Sequence, residues 1–277
     1  VLDNLNKKVK SAENYEFNSK DLRGIGLIDC HAHMELYRKS DVEKEVRRAK
    51  NCVIAVFDSI TEYRKAHVHK SWELLKPHFG FIFPTLGYHP NEAKRGNWEK
   101  VRRIEEFLLD HVKDIVAVGE IGLDFYHATT DKERKNQLKI FRHFLSLASE
   151  LELPVVVHAR KAEEMAIREV ERAGVEAYFH TFAEAGLTKS AQEVGYIGIS
   201  TGIAFIPQVR KVAEEVSLER VLVETDSPYM SPFKGIPNSP CNVSVVVREL
   251  ERLKSIEADK IASAVCKNVR DLFGVDL

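Results

Sequence analysis

Residues 115–160 run IVAVGEIGLDFYHATTDKERKNQLKIFRHFLSLASELELPVVVHAR. The stretch divides into three parts, and the pattern changes at each boundary. Ile115–Asp124 is a short apolar run rich in β-branched residues. Asp131–Glu150 then places Leu138, Phe141, Leu145 and Ala148 at helical spacing, with Thr130 followed three residues later by Glu133, the signature of a capping box at a helix start. Pro154–Arg160 returns to an apolar run in which Val155–Val157 is unbroken. Continuous rather than alternating apolar residues suit strands buried on both faces, as in a parallel sheet with helices packed against it.

The same alternation extends in both directions. Six further runs read as strands: GLIDCHAH from Gly26, CVIAVFDS from Cys52, GFIFPTLGYHP from Gly80, VEAYFHTF from Val175, YIGIST from Tyr196 and RVLVETDSP from Arg220. Helical segments are predicted over Asp41–Lys50, started by a Ser40/Glu43 capping box, and over Ile256–Leu272, with Ile261, Val265, Val269 and Leu272 on one stripe. Eight strand–helix alternations imply an α/β fold of the (β/α)8 TIM barrel type, with a doubly wound sheet as the alternative topology. The 277-residue length suits a barrel as a single domain. Residues 1–22 precede the first strand and are expected to form an accessory segment, leaving 23–277 as the barrel.

Composition narrows the function classes. Hydrophobic residues are 44% and charged residues 30%, which gives enough apolar side chains for a core and excludes a disordered chain. A formal net charge of −1 excludes a global electrostatic field for nucleic acid or anionic membranes, so any polyanionic substrate must be held locally. No stretch reaches the ~18 apolar residues of a membrane span, and the polar start VLDNLNKKVKSAENYEFNSKD does not resemble a secretory signal. Cys30, Cys52, Cys241 and Cys266 are too scattered for a disulfide framework or a metal clip and are expected to be reduced thiols. These features together predict a soluble cytoplasmic protein.

Barrel enzymes draw their catalytic groups from the C-terminal ends of several strands. Here the first run ends in His31 and His33, the third in His89, the fourth in Glu120, the fifth in His158, the sixth in His180 and the eighth in Asp226. Side chains alternate along a strand, so His31 and His33 point to the same side and one strand supplies two ligands. Cys30 faces the other way. A second HxH pair, His67 and His69, lies in a helix-like context, where residues two apart diverge by roughly 200°; it is expected to lie on a solvated face. Six potential ligands, His31, His33, Glu120, His158, His180 and Asp226, are more than one tetrahedral ion needs. That excess favours two divalent ions sharing a carboxylate, with Glu120 as the natural bridge.

The motifs DCHAH (29–33), GYHP (87–90), GEIGLD (119–124), VHAR (157–160), HTF (180–182) and ETDSPY (224–229) resemble, in order, the successive signatures of TatD-related metal-dependent hydrolases. KERKNQLKIFRHFLSLASELELPVVVHAR and the closing NVRDLFG (268–274) are similar to that family as well, so the resemblance covers about residue 25 to the end. It implies a binuclear, amidohydrolase-like centre with His31, His33 and Asp226 on one metal, His158 and His180 on the other, and Glu120 between them. It further implies a divalent-metal-dependent deoxyribonuclease, in which two ions orient a phosphodiester and activate water. Catalysis would then fall to Glu120 and to Asp226, the expected proton acceptor. His89 and Arg160 are expected to contact substrate phosphate, Arg160 through its bidentate fork, unless it pairs with a nearby carboxylate.

The chain departs from the family at Asn91, where another His often stands, at Pro237, in place of an Arg, and at Ile206, where a Lys is common. The metal-binding motifs are intact, so the departures bear on substrate and not on hydrolysis. DNA, or another nucleic-acid-derived phosphodiester, is the expected substrate. An ester hydrolase such as a D-aminoacyl-tRNA deacylase is the alternative, and a catalytically inactive scaffold is a third. Mixed imidazole and carboxylate ligands suit Zn, Mn or Mg.

Overall fold

The protein is described by a computed structural model covering Leu22, residues 24–61 and residues 67–277. Apart from Leu22, the expected accessory segment 1–22 lies outside the described residues. Each of the eight apolar runs contributes one strand: β1 (Ile28–Ala32), β2 (Ala55–Thr61), β3 (Ile82–Gly87), β4 (Ala117–Asp124), β5 (Val155–Arg160), β6 (Ala177–Phe179), β7 (Gly195–Ser200) and β8 (Val221–Glu224). They pair in sequence order, every pair parallel. The circle closes just past β8, where Asp226 N–H donates to the His31 carbonyl (2.9 Å) and His33 N–H to the Ser227 carbonyl (2.7 Å). Asp29 reinforces this seam by accepting from both the backbone N–H (2.8 Å) and the hydroxyl (2.5 Å) of Thr225. The fold is a single-domain (β/α)8 barrel.

The described helices are α1 (Lys39–Ala49), α2 (Val68–Leu75), α3 (Pro90–Ala93), α4 (Trp98–Asp110), α5 (Asp131–Glu150), α6 (Glu163–Ala173), α7 (Thr188–Val194), α8 (Pro207–Glu215), α9 (Val243–Lys254) and α10 (Ala258–Phe273). The Thr130/Glu133 capping box opens α5 as expected, and Phe141, Leu145 and Ala148 are buried against the barrel. In α10 the expected stripe of Ile261, Val265, Val269 and Leu272 is buried. No described helix is long and apolar enough to cross a membrane.

Two expectations are corrected. Helix α1 starts at Lys39 with Arg38 as its N-cap, so Ser40 lies inside the first turn and makes no capping bond. An N-cap residue needs non-helical backbone angles, which Ser40 does not have there. The thiol expectation also fails in part: Cys52 and Cys241 form a disulfide, and only Cys30 and Cys266 are free. Folding brings the segment before α9 alongside the end of α1, with Ser239 bonded to Glu45 and the Cys52 and Cys241 Cα atoms 5.1 Å apart, within disulfide range.

Glycine matters at one point on the path to the site. Gly122, between Glu120 and Asp124, has φ +141°, and a Cβ there would lie 2.0 Å from the His158 carbonyl oxygen. Only glycine lets β4 and β5 approach this closely while their polar ends converge.

Candidate metal centre

The structure brings all six expected ligands together at the C-terminal mouth. His31 and His33 point the same way, as strand alternation requires, and their Nε2 atoms are 3.3 Å apart. Asp226 Oδ1 lies 3.7 and 3.6 Å from those two nitrogens. Glu120 faces both halves of the site. Its Oε2 is 3.9 Å from His31 Nε2 and 3.5 Å from His33 Nε2, while its Oε1 is 2.7 Å from His158 Nδ1 and 2.9 Å from His180 Nε2. His158 Nδ1 and His180 Nε2 are 3.2 Å apart.

The spacings of the first group fit metal ligation, while in the second Glu120 Oε1 stands at hydrogen-bond distance from His158 and His180. Bonds of 2.0–2.2 Å arranged tetrahedrally set ligand atoms about 3.4 Å from one another, close to the separations around His31, His33, Asp226 and Glu120 Oε2. Glu120 Oε2 is moreover buried with no hydrogen-bond donor of its own, an expensive situation for a carboxylate oxygen unless a cation satisfies it.

His89 sits at the same mouth, its Nε2 3.4 Å from Glu120 Oε1. Its Nδ1 accepts the backbone N–H of Asn91 at 3.1 Å. With that lone pair used, the proton of the neutral ring belongs on Nε2, and His89 presents an N–H donor instead of a ligating lone pair. Burial pushes its conjugate acid down to about 4, which keeps the ring neutral. Arg160 lies at the exposed end of β5 with its guanidinium 4.1 Å from the centre of the Tyr126 ring and no ion pair to a described carboxylate. The second HxH pair stays apart from the centre: His67 precedes α2 in extended conformation, and His69 is exposed with its ring against Phe107. Cys30 is buried in the core.

Three carboxylates behind the imidazoles escaped the sequence reading. Asp124 Oδ2 is 3.4 Å from His158 Nε2, and His127 holds that carboxylate through its backbone N–H (3.0 Å) and Nδ1 (2.7 Å). Glu224 Oε1 is 4.0 Å from His180 Nδ1 and accepts from Thr181 N–H (2.6 Å) and hydroxyl (2.5 Å), while Tyr178 donates to its other oxygen. Glu35 Oε1 lies 3.6 Å from His33 Nδ1, which also faces the Ser59 carbonyl at 3.1 Å. A signal was present. Asp124 and Glu224 fall within the same GEIGLD and ETDSPY motifs as Glu120 and Asp226, at the strand ends where the candidate ligands gather, although Gly122 at φ +141° and Asp226 at φ +56° break the simple alternation there.

The electrostatics are those of charge packed tightly out of water. Burial opposes charge on His33, but Glu35, Glu120 and Asp226 outweigh it and hold the conjugate acid up to about 10. His158 behaves likewise: burial opposes, Asp124 and Glu120 prevail, and the value is about 9. His31 goes the other way, lowered well below the usual imidazole range by burial and by His180 and His33. Burial would raise Glu120, yet the surrounding imidazoles, His180 foremost, hold it well below the usual carboxylate range. Asp226 is raised, by burial first.

Imidazoles in two groups about one carboxylate, at the C-terminal mouth of a parallel barrel, define the class: a metal-dependent hydrolase. The chain belongs to the TatD-related DNase family, whose pattern it matches over residues 28–274. It is 34% identical over 258 residues to an uncharacterised metal-dependent hydrolase of Methanocaldococcus jannaschii, covering 91% of this chain and 98% of that one. It is 27% identical over 262 residues to human deoxyribonuclease TATDN3, covering 90% of this chain and 95% of the relative. The crystal structure of the Escherichia coli TatD homologue YJJV superposes with a TM-score of 0.81 at 26% identity, over 90% of this chain and 98% of the other.

Proposed function

We propose that residues 23–277 form a hydrolase that cleaves phosphodiester bonds of DNA and uses two divalent cations, Zn, Mn or Mg. His31, His33 and Asp226 would hold one cation, His158 and His180 the other, and Glu120 would join them. The observation that carries this reading is the orientation of Glu120, whose Oε2 faces the first group and whose Oε1 faces the second. When bound, two such cations neutralise phosphate charge and supply an activated water. DNA as substrate is supported by the names of relatives, human deoxyribonuclease TATDN3 and the putative deoxyribonuclease of Danio rerio among them.

The chain's own groups have separable tasks. Asp226, at the edge of the cluster and raised by burial, is placed to accept a proton from the attacking water. Its backbone lies in the left-handed region (φ +56°), costly for a non-glycine residue and held here by the seam bond from its N–H to His31. The neutral His89 donates its Nε2–H toward the centre, and Arg160 offers a fork for phosphate.

A nuclease assay with added Mg²⁺ or Mn²⁺ tests the proposal, with Glu120→Ala as comparison and an aminoacyl ester as competing substrate. DNA cleavage by the metal-loaded protein, lost in the variant, is the expected result. Turnover of the ester but not of DNA would sink the reading.

A further inference from the structure

A net charge of −1 leaves the chain no long-range attraction for a polyanion, so the hold on DNA must come from a local feature. The four residues after β4, Phe125, Tyr126, His127 and Ala128, supply one. Three cations converge on this loop from three different segments. Arg160, at the end of β5, lies over the Tyr126 ring at 4.1 Å, and its carbonyl accepts the Phe125 N–H at 2.9 Å. Arg134, in the first turn of α5, donates Nε–H to the Ala128 carbonyl at 3.0 Å and lies over the Phe125 ring at 5.1 Å. Lys94, just after α3, donates Nζ–H to the His127 carbonyl at 3.0 Å. None of the three forms an ion pair with a described carboxylate. Glu133 is within Coulomb reach of Lys94, but its own carboxylate is engaged by Thr129 and Thr130 at the start of α5.

The loop is anchored to the centre. It begins one residue after Asp124, which stands 3.4 Å from His158, and His127 closes back onto the same carboxylate. Several arginines elsewhere on the protein do form ion pairs, Arg142 and Arg172 sharing Glu169 and Arg210 and Arg252 sharing Glu249. Three cations held by carbonyls and ring faces instead keep their full charge for an external anion. Carbonyl and ring contacts orient a cation without neutralising it.

We infer that Lys94, Arg134 and Arg160 form a cationic track that carries the phosphodiester backbone of a DNA strand away from the metal centre across the 125–128 loop. The inference rests on DNA being the substrate. A track of side chains gathered about one loop suits a single strand, whose backbone can bend to follow it, and the exposed Tyr126 adds an aromatic side chain beside Arg160.

The test is the salt dependence of kcat/KM for metal-loaded enzyme on a fluorescent oligodeoxythymidylate, between 50 and 200 mM NaCl at fixed Mn²⁺. Each phosphate-contacting cation contributes about 0.7 to the slope of log affinity against log salt for a single strand. Lys94→Gln, Arg134→Gln and Arg160→Gln should each flatten the slope by about 0.7, and the triple variant by about 2. Lys139→Gln, an exposed cation further along α5, should leave it unchanged. Glutamine keeps much of the stem and a donor for the carbonyl, and the unfolding midpoint checks that the fold is retained; if the triple variant unfolds, the single variants decide. An undiminished slope in the variants, with DNA cleavage by the unmodified enzyme, overturns the track alone. No cleavage by the unmodified enzyme at any salt overturns the DNA reading, and the track with it.

Discussion

His33 and His158 stand on opposite sides of Glu120, and each keeps a proton to unusually high pH because carboxylates surround it, to about 10 and about 9. A metal ligand must be a neutral imidazole, so on the proposed two-cation reading each cation would have to displace one of these protons. Apparent metal affinity should therefore rise about tenfold per pH unit between pH 7 and about 9, with about one proton released per cation bound. Titration calorimetry at pH 7.5 in buffers of different ionisation heat counts those protons, and a count of zero would refute the assignment. The sign for stability is opposite. Both folded-state values exceed the ordinary 6.5, so their stabilisation of the chelated protein is full below about pH 6.5 and is lost as pH rises through about 9 and 10. Chelated protein should unfold at lower temperature at pH 9.5 than at pH 7. Asp124 gives a second prediction. As the carboxylate behind His158 Nε2 it favours the tautomer with a lone pair on Nδ1, the atom facing Glu120. Asp124→Ala should weaken metal binding about 10–100-fold, the usual effect of removing such a partner, with chelator competition as the measure. The clustering of the six candidate ligands was legible in the sequence because strand ends concentrate them and alternation orients His31 and His33 to one side. The backing carboxylates were not, because their role depends on which nitrogen of each imidazole turns inward, and that is settled only by neighbours from other strands.

Among the elements, α5 and α1 were predicted from the same signal and turned out differently. Thr130 caps α5 and Glu133 reaches back to its N–H, so the first turn is satisfied at both ends of the box. Further along, Gln137 accepts from Asp124 N–H (3.0 Å) and donates to the Asp124 (3.2 Å) and Pro90 (2.9 Å) carbonyls, so this helix holds the end of β4 in place. Thr130→Ala should cost about 1 kcal/mol, a shift of a few degrees in unfolding midpoint. Ser40→Ala, at the box that does not form, should stay within about 0.5 kcal/mol of the parent. Urea titrations of the two variants side by side separate a working cap from a sequence coincidence, and equal losses would contradict the structure. Strands were the more legible elements: a run such as Val155–Val157 is dictated by burial on both faces, and burial leaves a strong compositional trace. A helix start is set by backbone angles at one residue, and S-x-x-E occurs by chance within helices that began earlier. The order of the eight runs settled barrel against doubly wound sheet only once β8 was seen to meet β1 through Asp226 and Ser227.

Across the molecule, the barrel depends on its last strand finding its first. That seam is made inside by the Asp226–His31 and His33–Ser227 backbone bonds and by Asp29 on Thr225. Outside the barrel, Cys52 and Cys241 join the segment entering β2 to the segment leaving β8, a sequence separation of 189 residues. Spacing so long carries no information in the sequence about pairing, which is why four separate thiols were the natural expectation. The energetic consequence scales with the logarithm of the enclosed loop, and a loop of this size corresponds to about 5 kcal/mol in the chain-entropy picture, with about 2–4 kcal/mol the common experimental range. Neither cysteine belongs to the residue groups of the candidate metal centre, so the bond should act on stability through the denatured chain and the seam. The double variant Cys52→Ser/Cys241→Ser should thus unfold at lower denaturant concentration by an amount equivalent to about 2–5 kcal/mol. Reductant should bring the parent down to the variant's midpoint and leave the variant unmoved. A parent whose midpoint is the same with and without reductant would show that the linkage contributes nothing to holding the barrel shut, and closure would then rest on the Asp29, His31 and His33 bonds, the Ser239–Glu45 bond and the packing of α10 across β1 and β8.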